Sequence, residues 1–380
     1  HVADRSRRAV AKRTLRAPMK LAFLSSYAHL ALDPAERRVS GGAELQAALM
    51  ARELATRGHD VLLIGGDDGQ EEARVLQGVR ARTGGKFHTG KVADTLRALP
   101  VVFRILAQER PDYTFIYGWT AWTFFLLWPR LRGTTRTGFV CMLDTEANGV
   151  FRRENPISGT LFEWGMHRAD VRFAITEYQR ECFREAGLAS GLYRPLIMPR
   201  TTPLHGDKDI DLLWIARCRS IKRPHVFLDL ASRLPQTRCV MVSPGEDRVL
   251  FRTVRDRANS LSNVVFHESV PYHEVQSLYD RARIFENTST WEGFANSFIQ
   301  AGQGEAAILS LSVDTDGLIE RFKAGACAHN DVMRLAEEAA RLLDDPGALR
   351  ESQLGAARFV REWHDNNRNV DAFLAGLGAQ

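Results

Sequence analysis

The feature that most constrains the fold is an alternation of short apolar runs with longer amphipathic runs. Five runs rich in β-branched and aromatic residues occur in the first half: KLAFLSS (20–26), DVLLIGG (60–66), DYTFIYG (112–118), TGFVCML (137–143) and DVRFAIT (170–176). Apolar strands that are joined through amphipathic helices form a parallel sheet with helices on both faces. The pattern therefore predicts an α/β fold.

The alternation stops at RPLIMPRTTPLHGDKD (194–209), which is rich in proline and polar residues, and then begins again. The second series of strand-like runs is DLLWIAR (211–217), TRCVMVS (237–243), NVVFHE (263–268), RIFENTS (283–289) and AILSLSV (307–313). Two helical patterns follow, at 331–345 and 348–364. We predict two doubly wound, Rossmann-like domains that face each other across a cleft.

The breaks in the pattern set the predicted domain boundaries. At 380 residues the chain exceeds a usual single core and fits two domains of about 150 residues each. The predicted parts are a basic N-terminal arm (1–19), an N-terminal acceptor-binding domain (20–200), a C-terminal nucleotide-sugar-binding domain (205–360), and a C-terminal helix that crosses back to the N-terminal domain (361–380).

Cysteine spacing and the length of the apolar runs exclude several classes of protein. The five cysteines are scattered and contain no CxxC pair, which argues against a disulfide framework or a zinc knuckle. No apolar run approaches the roughly 20 residues that span a bilayer, and the first 20 residues contain no apolar core typical of a signal peptide. We predict a cytoplasmic protein.

Positive charge is concentrated in the N-terminal arm. Seven Lys or Arg residues against Asp4 in the first 20 residues exceed the net charge of +5 for the whole chain. The arm is either a solvated leader or a peripheral contact with anionic lipid at the inner face of the membrane. Because it has no interleaved aromatic residues, nucleic acid is not a predicted partner. The segment GWTAWTFFLLWPRLR (118–132) is either a packed first-domain helix or a second contact with a membrane interface.

Three motifs follow predicted strands, where helix N-termini present unpaired N–H groups and ligands of open α/β sheets bind. The first is SGGAE (40–44), in which Gly41 and Gly42 let a ligand approach the backbone closely. This pair either binds a phosphate or belongs to an ordinary helix cap.

The second motif is ARCRSIKRPH (216–225), directly after the strand at 211–217. Its four cations within seven residues suit a diphosphate, which needs both bidentate and point-charge partners. The alternative is a solvated basic loop.

The third motif is TSTWEGFANSFIQAG (288–302). If Phe294 to Ser297 begin a helix, their N–H groups point at an anion in the cleft. A phosphate would repel Glu292 beside it, so this carboxylate makes more sense as an acceptor for the hydroxyls of a sugar attached to that phosphate. The alternative is that Glu292 caps the helix.

These three motifs, in this order, resemble the retaining family-4 (group 1) glycosyltransferases of the GT-B fold. Further segments stand at the expected places: RGHDVLLIG (57–65), NVVFHESVP (263–271), SLYDRARIF (277–285) and LLDDP (342–346). The resemblance covers nearly the whole chain after the basic arm. It implies transfer of a sugar from a nucleoside diphosphate sugar to a glycan or lipid-linked acceptor in cell-envelope polysaccharide or glycoconjugate synthesis, with no cofactor and no metal.

The resemblance also implies a role for individual residues. Arg217 and Lys222 would grip the donor diphosphate and stabilise the leaving nucleotide, and Glu292 would hold hydroxyls of the donor sugar. The remaining donor-binding residues that it implies are Gly41, Gly42, Phe294, Ala295 and Asn296. The DTD sequence at 314–316 follows a second-domain strand, where it is expected to shape a turn rather than to bind a metal.

The chain departs from the family pattern at Gln300, eight positions after Glu292, where the family has a second glutamate that binds the ribose. A carboxamide bonds the same hydroxyls without the charge that strengthens a carboxylate bond. Ala306 stands where the family usually has proline. Both changes predict weaker donor binding or an altered choice of donor.

The acceptor side is expected in CMLDTEANG (141–149), which follows a first-domain strand. Asp144 or Glu146 could face the acceptor hydroxyl, and we predict Asp144; the alternative is a capping or turn aspartate. In a retaining transfer with front-face departure, the leaving phosphate can itself take the acceptor proton.

Two other functions are open at this point. One is a nucleotide-sugar-binding pseudoenzyme or accessory subunit of a polysaccharide assembly system, which Gln300 and the sequence GEAA (304–307) favour. The other is a different sugar-phosphate enzyme on the same architecture, such as an epimerase, which would need no acceptor.

Overall fold

The structure is a computed structural model, and it describes residues 17–33, 41–66, 73–86, 92–120, 123, 135–200, 204, 207–245 and 247–378. Residues 1–16 of the basic arm and most of the segment 118–132 lie outside the described residues, so the interpretations of these two segments stay predictions.

An eight-stranded sheet forms the first half of the chain. Its strands are β1 (Lys20–Leu24), β2 (Asp60–Gly65), β3 (Ala73–Leu76), β4 (Val79–Thr83), β5 (Tyr113–Tyr117), β6 (Arg136–Val140), β7 (Val171–Ala174) and β8 (Gly191–Leu192). The spatial order is β3-β4-β2-β1-β5-β6-β7-β8, and the pairings are parallel except for that of β3 with β4. The five predicted runs all form strands here.

The β3–β4 hairpin is absent from the sequence prediction. Its two-residue turn has positive φ at both Gln77 (48°) and Gly78 (82°), as the turns of tight hairpins do. The strand β3 is half exposed, and Arg74 interrupts its apolar pattern. A short edge strand of this kind gives no continuous apolar run, so the pattern that reveals buried strands misses it.

A six-stranded parallel sheet forms the second half. Its strands are β9 (Ile210–Ile215), β10 (Cys239–Val242), β11 (Val264–His267), β12 (Ala282–Asn287), β13 (Ala307–Ser310) and β14 (Gly325–Cys327), in the order β11-β10-β9-β12-β13-β14. The order reverses between β9 and β12, and in the first sheet it reverses between β1 and β5. A crevice for ligands opens at the carboxyl ends of the strands at such reversals.

Helices cover the two sheets. Those of the first half are α1 (Ala28–Leu32), α2 (Gly42–Thr56), α3 (Val92–Glu109), α4 (Asp144–Ala147), α5 (Val150–Glu154), α6 (Pro156–Arg168) and α7 (Glu177–Glu185). Those that follow are α8 (Pro224–Arg233), α9 (Arg248–Ser260), α10 (Tyr272–Arg281), α11 (Asn296–Gln303), α12 (Leu318–Phe322), α13 (Val332–Asp344), α14 (Pro346–Trp363) and α15 (Asn366–Gly376). Within the described ranges, no helix is long and apolar enough to cross a membrane.

The last two helices lie on different sheets. Helix α14 packs on α11 and β13 of the second half, whereas α15 packs on the first sheet. The ring of Phe373 on α15 is fully buried and lies 4.9 Å from that of Phe115 and 4.7 Å from that of Phe173. Between these helices the buried His364 has its Nδ1 2.7 Å from the carbonyl oxygen of Pro195. The end of the chain thereby joins the two halves.

The two halves also meet at Asp316, in the DTD segment. This residue has positive φ (53°) and lies in a turn, as predicted for the segment. Its carboxylate accepts hydrogen bonds from the main-chain N–H groups of Glu177 (2.9 Å) and Tyr178 (3.2 Å) at the start of α7, and it pairs with Arg194. An acid from the second half thus complements the positive end of a first-half helix.

Glu286 is an unusual residue for the core of the second sheet. It lies on β12, is fully buried, and neither of its carboxylate oxygens has a hydrogen-bond partner in the described part of the chain. Burial raises the pKa of this carboxyl to about 8, because a charge loses its hydration there. The group is therefore neutral in the folded protein at pH 7.

The buried carboxyl of Glu286 should make folding less favourable as the pH rises. The unfolded chain releases this proton near pH 4.5 and the folded one only near pH 8, so stability is lost across that window. In urea unfolding, we expect Glu286→Gln to gain roughly 3 kcal/mol relative to the natural protein between pH 5 and pH 8. The control is Glu337→Gln, at an exposed glutamate of α13. A pH-independent difference for Glu286→Gln would contradict this account.

Candidate active site in the interdomain cleft

The carboxyl ends of the two sheets border a cavity of about 500 Å³. Nine of the ten predicted site residues line it: Gly41, Gly42, Arg217, Lys222, Glu292, Phe294, Ala295, Asn296 and Gln300. The structure does not bring Asp144 into this set. Residues of both halves line the cavity because the strand order reverses in each sheet at this edge.

The cationic turn after β9 meets the Glu-Gly-Phe segment directly. Lys222 ends a short 3₁₀ turn (Ser220–Lys222), and its ammonium group contacts the carboxylate of Glu292. The hydroxyl of Ser289 donates a 2.7 Å hydrogen bond to the same carboxylate oxygen. The two groups assigned to the diphosphate and to the donor sugar therefore lie side by side, and the lysine offsets the negative charge of Glu292.

Three hydrogen bonds fix this arrangement from behind. The indole Nε1 of the buried Trp214 on β9 donates to the hydroxyl oxygen of Thr288 (2.9 Å), and that hydroxyl donates to the carbonyl oxygen of Lys222 (2.6 Å). The N–H of Thr290 donates to the carbonyl oxygen of Ile221 (2.9 Å). The cationic turn and the segment 288–290 thus form one unit. The sequence analysis gave Trp214 and Thr288 no role, because their contact joins residues 74 positions apart.

Helix α11 begins at Asn296, inside the predicted range, with Ala295 at its N-cap. No side chain of the described residues caps this helix, although the N–H of Phe298 donates to the carbonyl oxygen of Ala295 (2.9 Å). The N–H groups that precede it at an uncapped helix start suit an anion. The alternative that Glu292 caps the helix is wrong, because its carboxylate bonds to Lys222 and Ser289 instead.

Two glycines allow the halves to approach at the cleft. A Cβ atom on Gly293 would lie 2.0 Å from the carbonyl oxygen of Met142 in the loop after β6. A Cβ atom on Gly42 would lie 2.8 Å from the Nδ2 of Asn296. Asn296 also accepts a hydrogen bond from the Nε2 of Gln46 on α2 (3.1 Å). Glycine is therefore required at position 293 of the Glu-Gly-Phe motif, because the two domains touch there.

The structure places Asp144 outside the cavity, whereas the sequence analysis predicted that it faces the acceptor. The carboxylate of Asp144 accepts a 3.0 Å hydrogen bond from the Nε2 of Gln179 on α7 and does not line the cavity. Burial raises its pKa to about 6; the bond from Gln179 lowers it, and nearby Asp316 adds to the rise. Asp144 lies at the junction between α4 and α7.

Glu146 does line the cavity, but its carboxylate is occupied. It accepts hydrogen bonds from the N–H groups of Trp119 (2.6 Å), Met142 (2.8 Å) and Leu143 (3.2 Å). Burial raises its pKa, and these N–H donors lower it. The residue holds together the loops after β5 and β6 that form the first-half wall of the cleft.

No three His, Cys, Asp or Glu side chains converge as metal ligands would within the residues that the structure describes. The metal-independent reaction remains a prediction.

The hydroxyl of Thr288 should matter for donor binding. We expect Thr288→Val to weaken binding of the donor that the sequence predicts, a nucleoside diphosphate sugar, about 5- to 10-fold. The buried Trp214 loses its acceptor and the turn that carries Lys222 loses one hydrogen bond, together worth about 1 kcal/mol. Calorimetric titration with the donor measures this change.

The matched control for that titration is Thr237→Val. This buried threonine donates to the carbonyl oxygen of Leu234 (2.7 Å) and does not line the cavity. Both variants lose a buried hydroxyl, so thermal unfolding should report a similar destabilisation for each. Equal donor affinities in the two variants would contradict the positioning role of Thr288.

Comparison with protein families gives two matches along the chain. A glycosyl transferase 4-like domain matches residues 41–196, and a glycosyl transferases group 1 domain matches residues 209–345. Together they cover most of the described chain and both walls of the cleft.

Solved structures share the same architecture. Sucrose-phosphate synthase from Thermosynechococcus elongatus is 15% identical, with a TM-score of 0.75 over 95% of this chain and 100% of that one. An α,α-trehalose-phosphate synthase (UDP-forming) from Burkholderia vietnamiensis is 13% identical, with a TM-score of 0.67 over 95% and 97%. The trehalose-6-phosphate protein of E. coli bound with UDP-2-fluoro glucose is 13% identical, with a TM-score of 0.66 over 95% and 99%. At these identities the likeness shows the fold.

Proposed function

Because the chain belongs to the group 1 glycosyltransferases, has the GT-B fold and contains a glycosyl transferase 4-like domain, we propose that it transfers a sugar from a nucleoside diphosphate sugar to an acceptor. The proposed acceptor is a glycan or is lipid-linked, and the transfer retains the anomeric configuration of the sugar. The proposal includes no metal and no cofactor. It places the reaction in cell-envelope polysaccharide or glycoconjugate synthesis.

The observation that carries the proposal is the arrangement around Lys222. Its ammonium group contacts Glu292 beside the uncapped start of α11, and Arg217 lines the same cavity. Cations and helix N–H groups suit a diphosphate, whereas a carboxylate suits the hydroxyls of the sugar attached to it. A donor that carries both parts satisfies both kinds of group at once.

The proposed reaction follows from these positions. The bond between the anomeric carbon and the diphosphate oxygen breaks, and its electron pair leaves with the diphosphate. Arg217, Lys222 and the N–H groups of α11 stabilise the developing charge. The acceptor oxygen bonds to the anomeric carbon from the same face, and its proton passes to the leaving phosphate oxygen. The proposal assigns no proton transfer to Glu146, whose carboxylate accepts hydrogen bonds from three N–H groups.

Donor binding tests the proposal first. We expect calorimetric titration without added metal to show selective binding of one donor among UDP-, GDP-, ADP- and TDP-sugars. Arg217→Ala should weaken that binding at least 10-fold, whereas Arg252→Ala, at an exposed arginine of α9, should leave it unchanged. UDP-glucose is the first candidate, because a protein of the same fold binds its 2-fluoro analogue.

The outcome also separates the proposal from its rivals. Donor binding without turnover on any acceptor would favour the pseudoenzyme, and release of an altered free sugar nucleotide would favour the epimerase. An NMR spectrum that shows an inverted anomeric configuration in the product would exclude the retaining mechanism.

Gln300 provides a second test of the donor site. It lines the cavity on α11, eight residues after Glu292. We expect Gln300→Glu to strengthen donor binding about 5-fold, since a charged acceptor makes stronger hydrogen bonds to ribose hydroxyls, by about 1 kcal/mol. The control is Gln236→Glu, at an exposed glutamine that does not line the cavity. Unchanged affinity in Gln300→Glu would show that Gln300 does not limit donor binding.

A further inference from the structure

Two exposed tryptophans line the cleft, one from each half of the chain. Trp119 follows β5 in the first half, and Trp291 immediately precedes Glu292 in the second. Each is 42% exposed, and both line the same cavity. An exposed indole at a cavity wall leaves apolar surface that a bound ligand can remove from water.

The ring of Trp119 is held by the first-half core. Its main-chain N–H donates to the buried carboxylate of Glu146, and its ring centre lies 5.0 Å from that of Phe151. Phe151 in turn lies 5.4 Å from the buried Phe162 of α6. This column of rings fixes the orientation of Trp119 and so reduces the entropy that binding a ligand would cost.

Trp291 is fixed from both sides along the chain. The N–H of Thr290 donates to the carbonyl oxygen of Ile221, and Glu292 is held by Lys222 and Ser289. Across the cleft, Gly293 touches the loop that contains Leu143, which is itself 37% exposed and lines the cavity. Aromatic and aliphatic surface from the two halves therefore lies at the same end of the cleft.

Charge is divided unevenly between the two walls. Among the residues that the structure describes, the cations that line the cavity are Arg217, Arg219 and Lys222, all from the second half. Among the described first-half residues of the lining, the charged side chains are the two carboxylates Glu44 and Glu146. A diphosphate finds its partners on the second-half wall, whereas a further phosphate on the described first-half wall would meet the carboxylate of Glu44, since that of Glu146 is buried and bonded to N–H groups.

From this division we propose that the acceptor is an uncharged carbohydrate whose ring lies against Trp119 and Trp291, and not a phosphorylated sugar. This inference rests on the proposed function and specifies its acceptor. One face of a pyranose ring presents C–H groups with partial positive charge, which suit the negative face of an indole. The hydroxyls at the edge of the ring remain free to reach Thr120, which also lines the cavity.

The first experiment compares acceptors in matched pairs, with the donor found by calorimetry. Neutral mono- and disaccharides, including glucose, mannose, maltose and cellobiose, are each offered beside the 6-phosphates of glucose and mannose, and products are measured by mass spectrometry. We expect the enzyme to glycosylate the neutral sugars at least 10-fold faster than the sugar 6-phosphates. Preference for a phosphate, or no transfer to any neutral sugar by enzyme that binds its donor, would overturn the proposal.

The second experiment removes the rings. We expect Trp119→Ala and Trp291→Ala each to raise the KM for the neutral acceptor about 5- to 20-fold, with the donor Kd changed less than 2-fold for Trp119→Ala. Trp291→Phe should restore most of the loss. The control is Trp164→Ala, at a tryptophan of α6 that is 51% exposed and does not line the cavity. An acceptor KM unchanged by Trp119→Ala would overturn the stacking role.

These measurements separate the two claims. If the natural protein binds none of the donors, the proposed function itself is refuted. Donor binding with transfer to phosphorylated sugars would preserve the function and refute only the class of acceptor.

Discussion

The close approach of the two domains at Gly293 is the contact on which the site depends. A side chain there would collide with the carbonyl oxygen of Met142, so the first-domain loop and the Glu-Gly-Phe segment could not meet. The chain secures this approach elsewhere: Asp316 binds the start of α7, and α15 packs on the first sheet after α14 has packed on the second. With the walls held together, residues of both domains border one cavity.

Within that cleft, hydrogen bonds from neutral side chains hold two charged groups together. Trp214 and Thr288 anchor the turn that ends in Lys222, and Ser289 orients Glu292. The lysine thus lies against the carboxylate before any substrate contributes a contact. Such preorganisation lowers the cost of arranging charges during a reaction, and it explains how a carboxylate can stand beside a site suited to a diphosphate.

The buried acids of this structure have different hydrogen-bond partners, and these partners distinguish their roles. Glu146 accepts hydrogen bonds from three N–H groups and joins two loops, whereas Glu286 has no hydrogen-bond partner in the described residues and stays neutral through burial. Asp144 lies between these cases, bonded to Gln179 outside the cavity. From the sequence, Asp144 and Glu146 are equivalent acids in one short loop. Their difference comes from the direction in which the short helix α4 turns each side chain.

The sequence alone determined the two α/β domains, because buried parallel strands need continuous apolar runs, and it placed the cationic turn, the glycines and Glu292 at the carboxyl ends of strands. It also placed Gln300 at a position where the family has glutamate. Only the tertiary structure decided which of these groups touch: the contact of Lys222 with Glu292 joins residues 70 positions apart, and that of Gln46 with Asn296 joins residues 250 apart. Local sequence patterns reflect burial and turn formation, whereas contacts across the cleft depend on how the two sheets pack against each other.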